Sequence, residues 1–230
     1  MEPPRPRILA DPSFEPEPHY LVAALQRAPT SSGLSDTHHL ISFLGMERVA
    51  AARGEITEIV GRPSSGRTSL LVACLRDVAQ SGETAALVDT EETFDPASAA
   101  QAGVDLRRLL WVRCGGRRDV ALRAVDMLVR CPGFALVALD LGELVVRLPA
   151  TLAFRLKFAV RRADVALLIV GRRRLTGASA TLAIETRRQA IEWAGPGPAP
   201  TRLARVRTTT AVLRARHAPP AESPSRWWRA

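Results

Sequence analysis

Between Glu55 and Val170 five short runs are apolar at nearly every position: Ile56–Val60 (ITEIV), Ala85–Asp89 (AALVD), Leu109–Cys114 (LLWVRC), Phe134–Leu141 (FALVALDL) and Val165–Val170 (VALLIV). Unbroken apolar runs, as opposed to alternating ones, mark strands covered on both faces, which belong inside a parallel sheet with helices on each side. The intervening stretches Arg67–Gln80, Pro96–Ala102, Asp119–Arg130 and Leu148–Arg162 are long enough to serve as crossover helices. The predicted class is therefore α/β, with a mostly parallel sheet flanked by helices. Beyond Gly177 the texture changes to two alternating runs, Thr181–Arg187 and Thr201–Leu213, joined by the turn-like Ala194–Pro200. They predict an antiparallel hairpin at the sheet edge.

The two ends read differently. Six prolines within the first eighteen residues disfavour regular structure. His19–Gln26 (HYLVAALQ) has the makings of a short apolar helix, and Ser35-Asp36 precedes a second helical stretch, His39–Met46. A short apolar helix outside the core has to dock, either on its own chain or on a partner, so Tyr20, Leu21 and Leu25 are candidate partner contacts. The Pro-rich tail after residue 216 is expected to stay loose until it meets something. It ends in Arg226-Trp227-Trp228-Arg229, and Trp with Arg is typical of interface hot spots. Trp227 and Trp228 are thus read as a partner-docking peptide, the other possibility being that they fold back onto the protein's own surface. The expected division is 1–53 for the arm and short helices, 54–216 for the core and 217–230 for a flexible tail.

Composition narrows the class without changing it. Hydrophobic residues make up 47% and charged residues 24% of 230, which excludes wholesale disorder and a disulfide-built mini-protein. No apolar run reaches the roughly 20 residues of a bilayer span, so a cytoplasmic protein without membrane contact is expected. Cys74, Cys114 and Cys131 form no CxxC pair and are read as reduced core thiols. Charge is uneven: 16 basic against 19 acidic residues up to Phe154, then 16 against 4 from Arg155 onward. The positive field belongs to the last third, although 31 of the 32 cations are Arg and part of that excess reflects a compositional bias.

One motif carries chemistry. Gly61-Arg-Pro-Ser-Ser65-Gly66-Arg67-Thr68-Ser69 follows a predicted strand and opens a predicted helix, the setting of a phosphate-binding loop. Its glycines let backbone N–H groups wrap a phosphate at a helix N-terminus. Gly61, Ser65, Gly66, Arg67, Thr68 and Ser69 are the candidate ATP contacts, with Thr68 and Asp140 as candidate magnesium ligands. Asp140 stands at a strand end where a carboxylate orients magnesium through water. Glu91 follows a neighbouring strand, where a water-activating base would be needed, so it is catalytic only if the site turns over. The alternative for either acid, were the loop not there, is a solvated strand-end carboxylate. The motif calls for Lys where this chain has Arg67, and a planar guanidinium is a poor replacement for a compact ammonium. Three readings stay open: a loop kept for packing, one that binds nucleotide without efficient turnover, and a working ATPase.

These residues resemble the RecA recombinase family. GRPSSGRTSLL is similar to its phosphate loop, and the segment from Ala86 to Cys114 is similar through Asp89, Glu91, Asp95, Pro96, Gly103, Val104, Asp105, Leu109 and Leu110. The resemblance weakens toward Leu213. It implies a RecA-like fold, a catalytic glutamate at Glu91 and a magnesium-orienting aspartate at Asp140. RecA proteins hold single-stranded DNA with two long loops. The corresponding stretches here, Leu141–Pro149 and Gly171–Ser179, are short, which leaves Arg172, Arg173 and Arg174 as a weak DNA contact at best. A short RecA-like chain with an altered phosphate loop resembles the ImuA type, the recombinase-related component of the bacterial mutasome. That resemblance implies a non-catalytic adaptor that binds ImuB and RecA and, through them, serves an error-prone C-family polymerase in SOS-induced translesion synthesis at the nucleoid. The alternative it implies is a slow DNA-dependent ATPase.

Overall fold

The computed structural model describes residues 40–42, 50–144, 148–196, 201–216 and 222–229. Eight strands form one sheet in the order β10-β9-β8-β3-β7-β6-β4-β5: β3 (Ile56–Gly61), β4 (Thr84–Asp89), β5 (Leu109–Arg113), β6 (Phe134–Asp140), β7 (Ala166–Gly171), β8 (Leu182–Ala194), β9 (Arg202–Ala215) and β10 (Glu222–Arg229). β3 to β8 run parallel, and β8, β9 and β10 pair antiparallel. The four helices α1 (Arg67–Gln80), α2 (Pro96–Gln101), α3 (Arg118–Leu128) and α4 (Ala150–Ala163) fall within two residues of the expected starts and ends.

The double cover inferred from the apolar runs is visible residue by residue in β3, β4, β6 and β7, but not in β5, an edge strand on which no residue is buried and Leu110 is 42% exposed. Ile59, Leu87, Leu136 and Leu168 pack with Leu71, Cys74, Leu75 and Val78 of α1, whereas their neighbours Val88, Val137 and Leu167 pack with Val125 of α3 and Leu156 and Val160 of α4. Adjacent strand residues thus enter opposite cores, as the pleat requires. Local chemistry sets the helix ends. Asp95 caps α2, accepting from the N–H groups of Ala97 (3.1 Å) and Ser98 (3.2 Å), and Pro96 fills the first helical position. Arg161 and Arg162 lie in the last turn of α4, where a cation complements the helix dipole.

Several expectations need correction. Leu40–Ser42 forms a strand, β1, paired antiparallel with β2 (Ala50–Ala52), where a helix over His39–Met46 was expected; cross-strand pairing beside the core outweighs a short run's helical pattern. Ala51 is 1% exposed and joins the α1-side core, so packing reaches into the expected arm. The tail expected to be loose contains β10, whose backbone pairs Trp227 with Arg207 and Trp228 with Val206. The β8–β9 hairpin therefore lies one strand inside the sheet edge. Cys74 and Cys114 are buried, but Cys131 is exposed. His19–Gln26, with Tyr20, Leu21 and Leu25, lies outside the described residues.

Glu58 is a charged side chain in the middle of β3, a strand covered on both faces, and it is 1% exposed. It accepts from the N–H groups of Leu175 (2.6 Å) and Thr176 (2.7 Å) and from Arg174 Nε (3.2 Å), so it pins the connection that follows β7. Substituting Glu58→Ala strands two backbone donors and part of an ion pair, and should cost about 2–4 kcal/mol. Urea titration should show a lower midpoint at unchanged slope; an unchanged midpoint would show that the connection is held by other contacts.

Candidate phosphate-binding site

The loop between β3 and α1 is built for a close backbone approach. Gly61 has no room for a side chain: a Cβ there would sit 2.7 Å from the Thr186 carbonyl oxygen and collide with the hydroxyls of Ser65 and Thr186. Ser65, 1% exposed, shares a 2.6 Å hydrogen bond with Thr186 Oγ1. On the next strand, Thr208 lies against Gly66, the left-handed residue that opens α1. The β8–β9 hairpin therefore buttresses the loop. Thr68 is exposed in the first turn of α1 and Ser69 is half-buried.

Arg67 departs from what a nucleotide site needs. It is 8% exposed; its Nη1 donates to the Gly61 carbonyl at 2.7 Å, and its Nη2 pairs with the carboxylate of Glu143. The cation of the loop is thus satisfied internally, by the loop's own backbone and by an anion from the turn after β6. That turn also engages the two acids singled out from the sequence. Asp140 Oδ1 accepts from Gly142 N–H (2.9 Å), and Glu91 Oε2 accepts from Glu143 N–H (3.0 Å). Gly142 is in the left-handed region at φ 57°, and a Cβ there would overlap the Glu91 carboxylate. Only glycine lets Glu91 close over the turn.

Asp140 is not a solvated strand-end group, and Glu91 is half-buried with Oε2 on the turn after β6. Asp140 is 6% exposed, and burial pushes its pKa above the ordinary carboxylate value, with the nearby charges of Asp89 and Glu91 adding to the shift. Asp89, 1% exposed, is structural. It accepts from Thr93 N–H (3.2 Å), Phe94 N–H (2.9 Å) and Trp111 Nε1 (3.2 Å), ordering the segment that carries Glu91. Phe94 meets Trp111 edge-on at 5.5 Å, and the Arg113 guanidinium lies 5.2 Å from that indole ring.

The structure therefore gathers Gly61, Ser65, Gly66, Arg67, Thr68, Asp140 and Glu91 at the C-terminal ends of β3, β4 and β6, where open α/β sheets place ligands. The backbone cradle, Thr68 and Asp140 suit a magnesium–phosphate group. Arg67 in its internal pairing does not suit a triphosphate, because an incoming phosphate would have to displace the Glu143 carboxylate. Among the described residues, no three His, Cys, Asp or Glu side chains are arranged to hold a metal by themselves. Arg172 and Arg173 are exposed after β7. Arg174 is exposed as well, but its guanidinium is engaged by Glu58 and by the Gly177 carbonyl (2.6 Å), so it anchors the connection while the other two stay on the surface. The sequence reading missed Glu143 and Glu58. Glu58 carried a signal, a lone acid inside a run read as buried on both faces, whereas Glu143 had none beyond being the only acid in a short loop.

Two outcomes follow from this geometry. The raised pKa of Asp140 means that its ionised form is the unfavourable one in the fold. Its cost is absent at acid pH and appears as pH rises from the ordinary 3.8 to the folded value. Asp140→Asn should therefore gain stability relative to the parent protein as pH is raised through that window and hold the gain at neutrality; a difference independent of pH in thermal melts from pH 3.5 to 8 would refute this. Removing the internal anion by Glu143→Ala should release Arg67 and tighten binding of fluorescent mant-ATP about tenfold, or roughly 1.4 kcal/mol; unchanged affinity would mean that Glu143 does not compete for the cation.

Comparison with known proteins places these features. The RecA N-terminal domain family matches residues 32–149, just over half of the chain. Over 78 residues, 34% of this chain, it is 42% identical to Protein RecA of Arthrospira platensis and 44% identical to Protein RecA of Chlorobaculum tepidum. Protein RecA of a Prochlorococcus marinus strain is 40% identical over the same length. The matched stretch covers 21–22% of those relatives, so only about a fifth of their length is shared. No helix among the described residues is long and apolar enough to cross a membrane.

Proposed function

The chain belongs to the RecA family through its N-terminal domain, and from that membership we propose that it is a non-catalytic adaptor of the ImuA type. In this reading it binds ImuB and RecA and acts in SOS-induced translesion synthesis, linked through those partners to an error-prone C-family polymerase. The observation that carries the reading is the closed phosphate loop: the one cation that should meet nucleotide is bonded to Gly61 and Glu143, and the candidate base Glu91 is spent on the Glu143 backbone. A loop so occupied keeps the architecture of a nucleotide motor while withholding the charge that stabilises phosphoryl transfer.

The connections after β6 and β7 support the same reading. The first folds back onto Asp140 and Glu91. The second is fastened by Glu58, which holds Arg174 in an ion pair. Direct DNA contact, if made at all, falls to Arg172 and Arg173 and is weak. Trp227 and Trp228 remain the proposed ImuB contact, now carried on an edge strand whose backbone is paired on one side by β9. Deleting the end of the chain would strip β9 of its neighbour, so point substitution is the cleaner probe.

The test combines turnover and capture with the purified full-length chain. The adaptor reading expects negligible ATP hydrolysis with or without single-stranded DNA, and no recovery on Arg67→Lys. It also expects ImuB pull-down to be lost when Trp227 and Trp228 both become Ser while the melting temperature is unchanged. Hydrolysis accelerated by single-stranded DNA would establish the slow-ATPase alternative instead. ImuB binding that survives the double substitution would remove the tryptophans from the interface.

A further inference from the structure

α4 covers the sheet with one face and leaves a chemically distinctive face open. Ala153, Leu156, Ala159 and Val160 are buried, whereas Phe154 and Phe158 are 50% and 68% exposed. Four residues apart, they stand one above the other on the same side of the helix. Arg161 and Arg162 continue that side one turn further on and are exposed, and Lys157 beside them is half-buried. Burying a ring is favourable, so two adjacent rings held in water on a rigid helix represent unused binding energy.

The charges around the rings are already sorted. Asp126 of α3 is paired with Arg130 (2.9 Å) and Arg155 (3.0 Å). Asp164, at the C-terminal end of α4, faces Arg53, whose Nε donates to the Asp164 carbonyl at 2.9 Å and lies 3.8 Å from its carboxylate. Lys157, Arg161 and Arg162 enter none of the ion pairs among the described residues. The surface therefore combines two apolar anchors with three cations that have no carboxylate partner among the described residues.

We propose that the outward face of α4 is a docking surface for an acidic segment of a partner protein, with Phe154 and Phe158 taking its apolar side chains and Lys157, Arg161 and Arg162 its carboxylates. Charge complementarity selects this occupant. A second copy meeting the first through the same face would set three cations against three, which disfavours a symmetric dimer. Single-stranded nucleic acid is held in a basic groove with stacking platforms, whereas these rings project from the convex side of a helix. The proposal rests on the adaptor reading only in requiring a protein partner; it assigns that partner's chemistry and does not depend on ImuB or RecA being the one.

Photo-crosslinking tests it directly. In cells producing the full-length chain, p-benzoylphenylalanine is placed at Phe158, the crosslinked peptide is identified by mass spectrometry, and that peptide is then synthesised and its affinity measured by fluorescence anisotropy. The expected result is a peptide of net negative charge with at least two large apolar residues. Its affinity should fall at least tenfold in a protein carrying both Phe154→Ser and Phe158→Ser, and should fall comparably with Arg161→Glu plus Arg162→Glu, with melting temperature unchanged in both. Crosslinks to residues 1–39 of the same chain, to a second copy or to nucleic acid would overturn the proposal. So would the absence of an adduct, or a captured peptide indifferent to both double variants. An acidic segment from a protein other than ImuB or RecA would sustain this surface while counting against the named partners, so the two readings fail separately.

Discussion

A parallel strand buried on both faces leaves a charge two places to go: the strand's end, or a partner brought in by another segment. That constraint organises this protein. The acids at the ends of β4 and β6, Asp89 and Asp140, are almost wholly buried and are satisfied by backbone N–H groups of the turns that follow them. Glu58, within β3, is satisfied only because the chain beyond β7 folds back to meet it. Each buried carboxylate is thereby an organiser of a connection, because leaving it unpaired would cost more than ordering a few loop residues.

The same logic closes the phosphate loop. A glycine-rich loop at a helix N-terminus is an anion site by construction, and here the side-chain cation of that loop, Arg67, is met from within by Glu143 on the turn after β6. Gly142 makes this possible twice over: its backbone adopts the left-handed turn, and its missing side chain lets Glu91 lie across it. One turn thus engages the cation of the loop, the strand-end aspartate and the candidate base together. The arrangement gives physical content to the departure from the usual lysine at position 67: guanidinium, with its fork of donors, holds a carbonyl and a carboxylate at once, which a point-like ammonium does less well.

What the amino-acid sequence by itself determined was whatever depends on local pattern. Five continuous apolar runs specify five parallel strands, four of them buried and the fifth, β5, at the sheet edge; crossover lengths specify the helices, and glycines at defined spacing between a strand and a helix specify the loop. Asp95-Pro96 announces the start of α2 for the same reason, since a cap acts within one turn of chain. Tertiary structure decided whatever depends on partners distant along the chain. Leu40–Ser42 is a strand because Ala50–Ala52 pairs with it, and residues 222–229 form a strand because β9 offers an edge. The pairing of Arg67 with a carboxylate 76 positions away, and that of Arg174 with Glu58 across 116 positions, cannot be read from spacing. An ion pair is selected by which strand ends the sheet order brings side by side, and only the fold establishes that order.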